Sequence, residues 1–94
     1  MKKRMVVVTT DKDKRGVFYG NLVSEKKDVV ELTDARMCIY WSTETHGVTG
    51  LAGIGPQKGS RISPIIPKIK LSGVTAIMDC SDKAVEQWKE DLWN

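Results

Sequence analysis

Histidine occurs once in these 94 residues and cysteine only twice. Each scarcity closes off chemistry. With His46 as the single imidazole, no Cys-His pair and no Ser-His-Asp set can be argued from spacing. The chain is therefore expected to be no enzyme, with His46 a loop, interface or ligand contact. Cys38 and Cys80 stand 42 positions apart, without zinc-ligand spacing or the density of a disulfide scaffold. Both are expected to be reduced, partly buried core residues, and neither metal nor cofactor is expected. No apolar run approaches the roughly 20 residues that span a bilayer. The basic start of MKKRMVVVTT is followed by too few apolar residues for a secretory signal. A cytoplasmic location with no membrane partner is the expectation. Internal repeats, linkers and low-complexity tracts are also lacking, which points to one domain over residues 1–94.

What is present is an ordinary globular composition, 40% hydrophobic and 29% charged, in a chain small enough to gain from self-association. The net charge is +3 and the sequence pI is about 9.0. Charge is uneven along the chain. Residues 1–27 carry eight cations against three anions, and the last fourteen carry two cations against four anions. A positive and a negative end favour anionic ligands at one and head-to-tail subunit contacts between them.

Strand patterns dominate. MVVVTT, residues 5–10, is a β-branched run expected to be buried on both faces or to lie on the sheet's spine. Three runs at 17–23, 29–32 and 37–41 read as an antiparallel meander, with Thr33-Asp34-Ala35 as a short connection. Gly16 and Gly20 allow the bends that a small barrel needs. Period two puts Arg36, Cys38 and Tyr40 on one face, and Met37, Ile39 and Trp41 on the face expected to meet the core. STETHGVTGLAGIGPQKGS then carries five glycines, with Val48, Leu51 and Ala52 spaced for one helical turn before Gly53. A loop this long is expected to act as a lid or a subunit contact. A strand over 61–66 interrupted by Pro64 should lie at an edge or a bulge, and strands follow at 69–71 and 74–78. Ser81 caps a terminal helix over 81–93 with Ala84, Val85, Trp88 and Leu92 in one stripe, and Trp88 and Trp93 as core or interface anchors. The fold expected is mainly β with minor α: a small SH3/Sm-like barrel or strongly bent antiparallel sheet of five to seven strands, with a short helical insert and a C-terminal helix.

Gly20 and Leu22, followed by Val30, Leu32 and Ala35, are similar to the first signature of Sm-like barrels. The initial helix of those barrels, and the Asp and Asn of their RNA-binding loop, have no counterpart here. Over a longer span, GVFYGNL, VVELTDAR, the Tyr40-Trp41 pair, PKIKLSGV and IMDCSDKA resemble a family of small bacteriophage proteins carried as a domain of unknown function. That resemblance implies a phage origin and a small β-rich fold, and no established activity.

Candidate chemistry concentrates in two places. Glycines at 47–59 let backbone N–H groups approach phosphate, and Lys58 and Arg61 stand at the end of that loop, although no G-x-x-x-x-G-K-[ST] run occurs. Arg36, Tyr40 and Trp41 offer a cation and two aromatic faces able to stack a base. The first expectation is a non-enzymatic phage protein that sequesters a small anionic nucleotide-type ligand, such as a host anti-phage defence signal, in pockets between subunits of a homo-oligomer. Arg36, Tyr40, Trp41 and His46 would contact the ligand while Lys58 and Arg61 held phosphate. The alternatives are a nucleic-acid-binding barrel using the basic N-terminal third, or a protein-protein module that inhibits a host enzyme or joins a virion.

Overall fold

Val6, Val7 and Val8 follow one another without a polar break, and such a strand is stable only where both of its faces are covered. The computed structural model, which describes residues 4–10, 16–26 and 29–89, covers both. Strand β1 (Met5–Thr10) lies antiparallel between β2 (Gly16–Lys26) and β6 (Val74–Asp79). Val6 and Val8 enter an interior cluster with Phe18, Val30, Leu32, Ala35 and Leu71. Val7 enters an outer cluster with Tyr19, Cys38, Leu51, Ile62 and Trp88. The expectation of a strand buried on both faces is met.

The remaining strands are β3 (Val29–Tyr40), β4 (Arg61–Ile62) and β5 (Ile66–Leu71). The sheet runs β4-β3-β2-β1-β6, with β5 pairing the first half of β3. It is not closed: Ser72-Gly73 links β5 to β6, yet those two strands are not hydrogen-bonded neighbours. Among the described residues the protein is thus mainly β, a six-stranded, strongly bent antiparallel sheet. Gly20 permits the bend, since a Cβ there would lie 3.1 Å from Leu32 Cβ and 3.2 Å from Ala35 Cβ.

Two boundaries differ from expectation. The runs at 29–32 and 37–41 are one strand rather than two, because Thr33-Asp34-Ala35 stays in the ladder, with Thr33 opposite Lys68 and Ala35 opposite Ile66. Asp34 takes a φ of 49° there, a left-handed conformation that short polar side chains tolerate, so the strand kinks without ending. Conversely, the run at 61–66 is split into β4 and the start of β5 by Ser63-Pro64-Ile65. Among the described residues β5 pairs only β3, which is the edge position its Pro67 requires.

Helix α1 (Gly47–Gly53) follows a single 3-10 turn at Thr43–Thr45, and α2 (Asp82–Trp88) follows β6. Ser81 caps α2, its Oγ accepting the Ala84 N–H at 3.0 Å, and Ala84 and Trp88 are buried. The two helices are tied together by Ser81 N–H to Ala52 O at 3.0 Å and Ser81 Oγ–H to Gly53 O at 2.7 Å. They cover the outer face of the sheet. Leu92 and Trp93, with Lys2, Lys3, Lys12, Lys14, Arg15 and Lys27, lie outside the described residues. Among those described, no helix is long and apolar enough to cross a membrane.

Candidate functional site

The end of β3 departs from simple alternation. Cys38 pairs with Ile62 and Tyr40 with Arg61, and the register shifts between these two pairs. A bulge of this kind turns consecutive side chains away from the alternating pattern. Ile39 and Tyr40 are accordingly both exposed, at 48% and 56%, while Cys38 is buried in the outer cluster. The expected core face is therefore corrected: Ile39 points to solvent, Met37 is half-buried against the interior cluster, and Trp41 is half-buried against the outer one.

Arg36 does not join Tyr40. It is buried, with 8% exposure, and its Nε donates to Ser63 O at 2.8 Å while Nη1 donates to Trp88 O at 2.6 Å. The second acceptor is the last carbonyl of α2, where a helix leaves oxygens unpartnered and favours a cation. Arg36 also lines a cleft of about 490 Å³ shared with Met5, Tyr19, Val85 and Trp88. The expected set of Arg36, Tyr40 and Trp41 is thus divided, with Arg36 in this cleft, Tyr40 exposed at the end of β3 and Trp41 packed on the outer cluster, because the outer face of β3 is covered by helices and a cation there must find carbonyls rather than solvent.

The glycine-rich segment is pinned down at its centre. Thr45 is fully buried; its Oγ1 accepts the Gln57 N–H at 3.0 Å and lies 3.3 Å from Ser60 Oγ, which in turn accepts the Ser42 N–H at 2.9 Å. Gln57 Nε2 donates to Ile54 O and Gly55 O, both at 3.1 Å. This buried hydroxyl cluster holds Ser60 firm, and Lys58, Gly59 and Arg61 stay exposed around it. His46 is exposed at the junction of the 3-10 turn and α1, with a φ of 65°.

A groove of about 440 Å³ follows from these placements, lined by Ile39, Tyr40, Gly59 and Arg61. Two of the residues expected from the sequence, Tyr40 and Arg61, meet here as cross-strand partners. An exposed phenol ring beside a guanidinium can stack a flat ring and pair an anion at once. Ile39 supplies an apolar wall, and Gly59 brings backbone close without a side chain. Sequence reasoning missed Ile39 because a bulge leaves no mark in the residues that flank it.

The chain matches, over residues 3–88, the family described as Domain of unknown function (DUF6948). It belongs to that family. No curated protein and no solved structure matches it.

The thiols of this family member are held in their neutral form. Burial pushes Cys38 up to about 11 against its ordinary 9.0, offset in part by a backbone hydrogen bond from Tyr40. Burial, with the nearby Asp79 charge, pushes Cys80 up to about 12. Burial also raises the Tyr19 hydroxyl to about 12. The consequence for stability has a definite sign. Above pH 9 the unfolded chain sheds its thiol protons while the folded chain keeps them, so unfolding is favoured. The stabilising contribution is complete below pH 9.0 and is lost as the pH climbs toward 11 and 12. Urea midpoints measured under reductant should be level up to about pH 8 and then fall. A midpoint unchanged across that alkaline range would refute the burial of these thiols.

Proposed function

We propose that this protein binds and sequesters a small anionic nucleotide-type ligand, acting without catalysis as a homo-oligomer, each copy of which carries the groove between β3 and β4. The observation that supports this reading is the pairing of exposed Tyr40 with exposed Arg61 across the β3–β4 ladder, at the rim of a hollow of about 440 Å³. Tyr40 stacks the base and Arg61 pairs the phosphate, with Lys58 adding charge at the open side. The buried Ser42, Thr45 and Ser60 hydroxyls fix the loop that presents Arg61, so little ordering is left to be done on binding. A phage origin, which the sequence resemblance implies, makes a host defence signal the natural ligand class.

Titration calorimetry with a panel of cyclic and linear adenine and guanine nucleotides tests this. Binding of at least one member is expected, weakened about tenfold or more by Tyr40→Ala, in line with the value of one stacked base. Arg61→Ala should weaken it comparably, and more at low ionic strength than at high. No heat with any nucleotide would sink the reading.

A further inference from the structure

The two ends of the sheet are built differently. At one, β4 is only two residues long, and β5 carries Pro67, which has no N–H to offer, with exposed Lys68 and Lys70. Brevity, proline and lysine are the ordinary means by which an edge is kept from pairing with a stray strand. At the other end β6 runs six residues, VTAIMD, with neither proline nor lysine. Among the described residues it pairs only with β1.

The ladder shows which backbone groups of β6 look outward. Leu22 N–H bonds Arg4 O at 2.8 Å on the β2 side, whereas Cys80 N–H bonds Met5 O at 2.9 Å on the β6 side. Directions alternate along a strand, so Val7 and Thr9 also turn toward β6. Their partners Met78 and Ala76 face β1, and Ile77 and Asp79 present their N–H and C=O to the open edge. The side chains agree. Val74 and Ile77 are half-buried against the interior cluster and Met78 against the outer one, so both clusters are left partly uncovered along this strand.

We propose that β6 pairs antiparallel with β6 of a second copy of this chain across a two-fold axis. The strand is complementary to itself. With Ile77 opposite its own counterpart, Met78 falls opposite Ala76 and Asp79 opposite Thr75, so apolar residues meet and no two carboxylates do. Asp79 is neutralised within its own chain by Arg4 Nε at 2.8 Å. The contact uses neither Tyr40 nor Arg61. It takes from the proposed function only the self-association of the chain and nothing about the ligand.

Sedimentation velocity and amide hydrogen exchange on the full chain test the pairing. A species of twice the 10.5 kDa chain mass is expected. In it the Ile77 and Asp79 amides are protected, and dilution to monomer lowers their protection about tenfold or more while Met78 stays protected. Ile77→Pro removes an outward N–H and spares the bonds to β1, so it should yield a monomer with unchanged circular dichroism. Should that variant fail to fold, exchange in the natural chain decides alone. A monomer at high concentration, freely exchanging Ile77 and Asp79 amides in a dimer, or a dimer that survives in folded Ile77→Pro would each overturn the proposal. Protection that appears in a monomer only when an extended peptide of alternating apolar residues is added would also overturn it, in favour of that peptide. A dimer giving no heat with nucleotides defeats the ligand reading alone; nucleotide binding by a monomer defeats this pairing and the self-association it rests on, and leaves the ligand reading standing.

Discussion

Trp88→Ala is expected to cost about 3–5 kcal/mol, the range for emptying a large aromatic site in a core. Against a total of about 5–15 kcal/mol for a small domain, that is enough to leave much of the chain unfolded. The reason is that β2 and α1 both meet on this one side chain, while the backbone carbonyl, which alanine keeps, ties the residue to β3. Its ring stacks on Tyr19 of β2 at 4.5 Å between centroids and 6° between planes. Its Nε1 donates to Leu51 O of α1 at 3.0 Å, and its carbonyl accepts from Arg36 of β3. With 1% exposure it has no solvent to fall back on. Trp88→Phe retains most of the contact area but strands the Leu51 carbonyl, at a cost of about 1–3 kcal/mol. Urea denaturation followed by far-ultraviolet circular dichroism checks both. A loss below about 1 kcal/mol in the alanine variant would mean that α2 is not part of the cooperative core.

Two glycines of α1 should respond to the same substitution with opposite signs. Helix propensity alone gives Gly→Ala a gain of about 0.5–1 kcal/mol at either position. At Gly53 nothing lies within 4 Å of the added methyl, so Gly53→Ala should realise that gain. At Gly50 the methyl would land on the Thr45 carbonyl oxygen. Backbone is the obstacle there, not a flexible side chain, so the 3-10 turn must move. Thr45 carries the buried hydroxyl bonds to Gln57 and Ser60, and displacing it loosens the support beneath Arg61. Gly50→Ala should therefore cost about 2–3 kcal/mol, as overpacking does elsewhere. Thermal or urea unfolding of the two variants side by side gives the comparison, and equal shifts would contradict the close approach of Thr45 to α1.

Local rules reached the elements well where one physical requirement dominated. The unbroken MVVVTT run had to be covered on both sides, and it is β1, bounded by the same residues. Ser81 followed by Asp82 and an apolar stripe started α2 where expected. The spacing of Val48, Leu51 and Ala52 marked α1, which ends at Gly53. The pairing of Tyr40 with Arg61 is not legible in the same way: each residue is a candidate on separate grounds, and the two stand 21 positions apart.

By itself, then, the sequence determined the class of fold, the bounds of β1 and the candidates Tyr40 and Arg61, because composition and period act over a few residues. Only the tertiary structure decided that Asp34 would kink β3 rather than break it, since β5 supplies partners on either side of that residue. It alone decided that Arg36 would turn inward to the carbonyls of Ser63 and Trp88. And it alone produced the bulge between Cys38 and Tyr40 that exposes Ile39. In each case the deciding partner lies far along the chain, where no local pattern of residues reports it.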